Sequence, residues 1–149
     1  MIRAAAMCLL LSQCAAETYL GATGYWIEAE VTAYSPLDAF TRDDIGNPSR
    51  RTANGTRTKI VPYGVAADPR YLPYGTRLIV PEGYGYLDRL RPVGGDGARI
   101  FTVDDTGPMI VERTRVTGRI ALDLRFIGVT AALRFGRKTM PIFVIIDPL

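Results

Sequence analysis

The chain has 149 residues, 48% of them hydrophobic and 22% charged, a balance that fits one globular domain and argues against disorder or a multidomain protein. It contains no histidine, which excludes mechanisms that need an imidazole as base or metal ligand: Ser/His/Asp hydrolases, Cys/His proteases and nearly all zinc enzymes. The net charge of +3 is too weak and too dispersed for a nucleic-acid partner, and both cysteines, Cys8 and Cys14, lie near the N-terminus, so the body has no thiol for a disulfide or for nucleophilic attack.

In chain order, Arg3 and the apolar run Ala4 to Leu11 are too short to span a bilayer and read as an export signal over residues 1–16, with cleavage after Ala16. Leu11-Ser12-Gln13-Cys14 offers a second reading, a lipoprotein signal with Cys14 lipidated, although Gln13 stands where a small residue is usual; a buried N-terminal helix is the third. Residues 17–28 read as an extension preceding a domain at 29–149. Trp26 to Thr32 alternates, with Ile27, Ala29 and Val31 on one side and Glu28, Glu30 and Thr32 on the other, as in a half-buried strand.

Ser35 to Lys59 is polar and aperiodic, a long loop with a turn at Asn54-Gly55. Gly64 to Ala67 leads into the turn pair Asp68-Pro69, and Thr76 to Val80 is a short strand between Gly75 and Pro81. Gly83 to Tyr86 begins another extended piece, and Leu87 to Gly97 has the composition of a surface insertion. Arg99 to Val103 is a strand ending in Asp104-Asp105-Thr106-Gly107-Pro108. Arg119 to Phe126 alternates again, with Ile120, Leu122 and Leu124 facing away from Asp123 and Arg125. A single short helix is expected at Ala131 to Phe135, N-capped by Thr130 and stopped by Gly136, and Pro141 to Ile146 reads as a buried strand. Short strands, many turns and one short helix indicate a mostly β barrel or sandwich.

Without histidine, proton chemistry falls to ten Asp and five Glu. Asp38, Asp43, Asp44, Asp88 and Asp96 lie in polar loops where an acid is ordinarily solvated, and Glu28 and Glu30 lie on an outer strand face. Asp68 and Asp105 stand out, though each also reads as a turn cap. Asp123 stands out most: an acid between Leu122 and Leu124 in a strand is costly to bury unless paired or protonated, and an apolar setting would raise its pKa toward that of a general acid.

Eight segments, in order, resemble those of the 3D domain, named for three aspartates and found in the membrane-bound lytic transglycosylase A family and in stationary-phase and resuscitation-type cell-wall proteins. They are Val31-Thr32-Ala33-Tyr34-Ser35, Thr52 to Thr56, Gly64 to Arg70, Leu72 to Pro81, Gly83-Tyr84-Gly85, Val103 to Gly107, Ala121 to Leu124 and Phe135 to Lys138. The resemblance spans about residues 29–146. It implies a six-stranded double-psi β-barrel, an exported protein of the periplasm or outer membrane, and cleavage of the β-1,4 bond between N-acetylmuramic acid and N-acetylglucosamine in peptidoglycan turnover. Asp123 matches the acid/base, and Asp105 and Asp68 the other two aspartates; Asp104 is a close competitor for Asp105, but the Thr-Gly register favours the latter. Substrate contacts would come from Tyr34 and Tyr74, with Tyr84, stacking on sugars, from Thr52 and Gly55 in a loop, and from Thr106 and Gly107. Arg70 and Arg125 would meet peptidoglycan carboxylates or be ordinary surface arginines. No cofactor or metal is implied, and a monomer is expected.

Two departures stand out: Asp105 and Asp123 are 18 positions apart, more than is usual, and Pro108 stands where a glycine follows Asp-Thr-Gly, so residues 109–117 read as an inserted loop beside the site. Such a loop favours the alternative of a non-catalytic glycan-binding module. Asp105-Thr106-Gly107 with Phe126-Ile127-Gly128 also matches pieces of an aspartic protease, which at this length would have to dimerise.

Overall fold

The computed structural model describes residues 15–35, 52, 63–81, 99–126 and 129–146. The described residues hold seven strands: β1 (Glu17–Tyr19), β2 (Ala22–Tyr34), β3 (Gly64–Ala66), β4 (Arg77–Val80), β5 (Arg99–Asp105), β6 (Ile120–Arg125) and β7 (Lys138–Ile145). Two helices accompany them, α1 (Pro108–Thr117) and α2 (Val129–Phe135). The strands form one sheet in the order β1-β2-β6-β3-β5-β4-β7, and β2 also pairs with β7, so six strands close into a hydrogen-bonded ring with β1 as an antiparallel appendage on β2. Within the ring β2–β6 and β3–β5 are parallel; the other neighbours are antiparallel.

Period-2 alternation places one set of side chains inside the ring. Val31 and Ala29 of β2, Leu122 and Leu124 of β6, Phe101 and Val103 of β5 and Ile142 and Val144 of β7 are buried there together, with Phe126 and Phe135 meeting edge to face at 5.4 Å. The opposite sheet face is covered in two places. Tyr19 and Trp26 pack on Phe143 beside Ala22, Ile79 and Ile145. On the other side, Ile110 of α1 packs on Ala66 of β3 and Ala121 of β6.

The structure corrects several expectations. Residues 109–117 are a ten-residue helix with Pro108 rather than an irregular loop, so the described chain holds two helices instead of one. The first ring strand extends from Ala22 to Tyr34, and residues 17–28 are hydrogen-bonded into the sheet as β1 and the first half of β2. Thr130 lies inside α2, not at its N-cap, whereas Gly136 has the left-handed φ of 67° expected of a helix stop. The export signal with Cys14, the loop turn at Gly55, Tyr84 and the insertion at 87–97 lie outside the described residues. Among the described residues no helix is long and apolar enough to cross a membrane.

Candidate active site

Register aligns the acidic residues in rows across the outer face of the sheet. Thr32 on β2 pairs with Asp123 on β6, Asp123 with Ala66 on β3, and Ala66 with Asp105 on β5. Residues in register share a face, so Asp123 and Asp105 project to the same side, two strand spacings or about 10 Å apart at their backbones. The residue between them in register is Ala66, on which Ile110 of α1 packs. Asp123 therefore leaves the sheet opposite Leu122 and Leu124, as its alternation predicts, and stands on the outer face, where Ile110 of α1 packs on the neighbouring Ala66 and Ala121, and not in the ring interior.

α1 begins at Gly107, whose carbonyl accepts from the Ile110 and Val111 amides, and Pro108 occupies the first turn, where its missing N–H costs nothing. Its hold on β6 is double: Ile110 packs on Ala121, and the Thr114 hydroxyl oxygen accepts the Ala121 N–H at 3.0 Å. Arg113, one turn after Ile110, reaches back to Glu30 at 3.4 Å, and Arg137 approaches the same carboxylate oxygen at 3.6 Å.

Burial pushes the Asp123 carboxyl above the usual carboxylate range; a 2.8 Å hydrogen bond from the Thr32 hydroxyl and the charge of Arg113 pull it down, and the charge of Asp105 pushes it up. Asp105 accepts on both oxygens, from the Thr106 amide at 2.9 Å and from the Tyr34 hydroxyl at 3.1 Å. Tyr34 thus engages the site through its hydroxyl, and burial pushes its phenol far above the ordinary value.

A second row lies beside the first. Arg125, which pairs in register with Tyr34, is 1% exposed, and its guanidinium grips Asp104 through Nη1 at 3.0 Å and Nη2 at 2.5 Å. The expectation that Arg125 lies at the surface or meets substrate is therefore corrected. A β-bulge makes room for Asp104: Val65 pairs with Val103 but Ala66 with Asp105, leaving Asp104 as the extra residue of β5. Gly64 supplies the remaining space, because a Cβ there would collide with both the guanidinium and the Asp104 carboxylate.

Asp68 stands apart. It is 1% exposed, and its carboxylate accepts the Arg70 amide at 3.0 Å and the Arg70 guanidinium at 2.9 and 2.5 Å, while its carbonyl accepts from Tyr71 and Leu72. Hydrogen bonding from the Arg70 side chain holds this carboxyl below the usual range. It is joined to the other two aspartates through backbone alone, where the Ala67 amide donates to the Asp105 carbonyl at 3.1 Å. Arg70 pairs with Asp68 while its side chain stays 62% exposed.

Tyr74 is 41% exposed in the turn before β4, and Thr52 is buried. The Thr106 hydroxyl is buried next to Asp105 with no hydrogen-bond partner among the described residues. No group of three or more acids and cysteines among the described residues is placed to hold a metal ion. The site residues that sequence patterning did not single out are Thr32, Arg113 and Gly64; Asp104, the competitor of Asp105, is the buried counter-charge of Arg125. The visible signal for Asp104 was two successive acids at a strand end, which ordinary alternation would send to opposite faces.

Neither protein-family models nor curated protein sequences give a match to this chain.

Proposed function

We propose that the protein is a lytic transglycosylase-like enzyme of peptidoglycan, exported to the cell envelope, with its six-stranded ring a double-psi β-barrel and Asp123 its acid/base. The parallel pairs β2–β6 and β3–β5, interleaved with antiparallel neighbours in a closed ring, support the barrel topology. The observation that carries the activity is Asp123 itself: a carboxyl with raised proton affinity, beside a second carboxylate and across a small residue from it.

In this reading protonated Asp123 donates to the glycosidic oxygen as the bond from C1 of N-acetylmuramic acid breaks. The sugar's 6-hydroxyl then attacks C1, and Asp123 takes back the hydroxyl proton, leaving a 1,6-anhydro product. One carboxyl serves both steps, so neither an activated water nor a second nucleophile is required, in contrast to two-carboxylate hydrolases. Asp105 is the second carboxyl of the site. Asp68 shapes the turn that carries β3 away from it, and exposed Tyr74 is a candidate for sugar stacking.

Purified peptidoglycan incubated with the protein should release anhydro-muropeptides detectable by mass spectrometry. Asp123→Asn, which keeps the shape but cannot donate a carboxyl proton, should lose at least about 100-fold of that rate. Wild-type turnover in the Asn variant would remove Asp123 from the role. A second reading, a glycan-binding module, is favoured by one observation: Ile110 of α1 rests on Ala66, the small residue between the two carboxylates. Binding to peptidoglycan without any released product would select that reading.

A further inference from the structure

Charge is uneven along the outer face of β2, where Glu28, Glu30 and Thr32 follow one another at every second position. Glu28 faces one guanidinium, that of Arg119 at 3.3 Å. Glu30 faces two: Arg113 Nε lies 3.4 Å and Arg137 Nε 3.6 Å from the same oxygen, Oε1. They come from opposite sides of the strand, Arg113 from α1, which packs on β6, and Arg137 from the turn between α2 and β7. Oε1 is buried yet has no hydrogen-bond partner among the described residues, so both contacts are electrostatic only. A guanidinium carries five N–H donors. Arg70 and Arg125 donate to Asp68 and Asp104, whereas Arg113 and Arg137 make no hydrogen bond among the described residues.

Two guanidiniums against one carboxylate leave one positive charge unbalanced, and it stands beside the acid. Glu30 is two residues from Thr32, about 7 Å along the strand, and the Thr32 hydroxyl donates to Asp123, on which the charge of Arg113 also acts. Neither arginine is sealed off: the Arg137 side chain is 62% exposed and that of Arg113 17%. From this placement we propose that Arg113 and Arg137 form an anion subsite next to Asp123, which takes a carboxylate of the substrate beside the bond that is cleaved. The inference rests on the proposed function and adds the group by which this glycan is told from a neutral one. Muramic acid carries a lactyl ether on C3, two carbons from the C1 at which the bond breaks. Its carboxylate is free in strands that have lost their stem peptides; in strands that keep them, the peptides bring carboxylates of their own. A guanidinium fork receives either with two parallel N–H···O bonds. Glu30 holds both forks in place before the ligand arrives, which lowers the ordering cost of binding.

The test is equilibrium binding by calorimetry to the full chain carrying Asp123→Asn, so that the glycan stays whole. Soluble strands without stem peptides and strands that keep them are each compared with the same material after its carboxylates are converted to methylamides. The acidic form should bind about tenfold tighter than the amidated one. Arg113→Gln and Arg137→Gln should each cut that preference to about twofold while leaving the affinity for amidated strands unchanged. Arg137 lies outside the packed face of α1, so its variant decides the matter even if Arg113→Gln loosens the helix. A preference shown by the peptide-free strands assigns the lactyl carboxylate, and one shown only by strands with stem peptides assigns the peptide's. Equal binding of acidic and amidated strands of both kinds, or a tenfold preference that survives Arg137→Gln, would overturn the subsite. Binding of none of these strands would overturn it together with the glycan reading. Carboxylate-selective binding in the absence of anhydro-muropeptides from the wild type would keep the subsite and remove only the catalytic reading.

Discussion

Asp68 and Asp123 are both carboxyls withdrawn from water, and their partners drive them in opposite directions. Arg70 holds Asp68 below the usual range, so the folded state gains from its ionisation; that stability is present above the unfolded value near 3.8 and is lost as pH falls through the lower folded value. Asp123, raised mainly by burial, binds its proton more tightly folded than unfolded, so stability falls as pH rises from 3.8 through the raised folded value. Two substitutions should therefore have opposite signs. In urea melts at pH 7, Asp68→Asn should be less stable than wild type and Asp123→Asn more stable, with both differences shrinking toward pH 3. A stabilised Asp123→Asn that has lost activity would mark a residue kept for chemistry at a cost to folding. An Asp123→Asn variant destabilised at pH 7 would contradict the burial argument.

Among the elements beside the site, α1 is a helix that patterning missed. Its sequence, Pro-Met-Ile-Val-Glu-Arg-Thr-Arg-Val-Thr, is rich in β-branched residues that lower helix propensity, and it buries only Ile110 and Thr114, an i, i+4 pair too narrow to register as an amphipathic stripe. Its ends are clearer than its middle: Pro108 at the start and Gly118 at the stop, the latter at φ 69° with its amide donating to the Thr114 carbonyl. Gly118→Ala, forced into a left-handed conformation, should lower stability by about 1 kcal/mol, measurable by chemical denaturation. Ile110→Ala should cost about 2 kcal/mol and admit water over Asp123, moving its carboxyl titration down toward the ordinary range. An unchanged Asp123 titration would mean that α1 is not what buries the acid.

At the scale of the whole molecule, closure of the ring brings residues from four strands onto one outer surface, a step that local pattern does not encode. Alternation in Trp26–Thr32 and Arg119–Phe126 correctly marks strands and the side on which Asp123 emerges, because each strand has one apolar face inside the ring. Register across β2-β6-β3-β5 is tertiary information, and with it comes the placing of Asp105 and Asp123 on one face and the separate engagement of Asp68. Arg125 illustrates the limit: an arginine on the polar side of a strand reads as solvated, and only the bulge at Asp104, which supplies its counter-charge, explains its burial. This buried pair also ties β5 to β6 across β3. Gly64→Ala should disrupt it and lower stability by about 3 kcal/mol in denaturant melts, whereas a neutral effect would show that the pair can shift aside.

Under the proposed function, Asp123 directs capture of the cleaved sugar by its own 6-hydroxyl. Digestion of purified peptidoglycan in water enriched in oxygen-18, followed by mass spectrometry of the muropeptides, tests it most directly. The account predicts anhydro-muropeptides carrying no oxygen-18 from the wild type and almost none of these products from Asp123→Asn. Reducing-end products carrying oxygen-18, or equal yields from the two proteins, would contradict it.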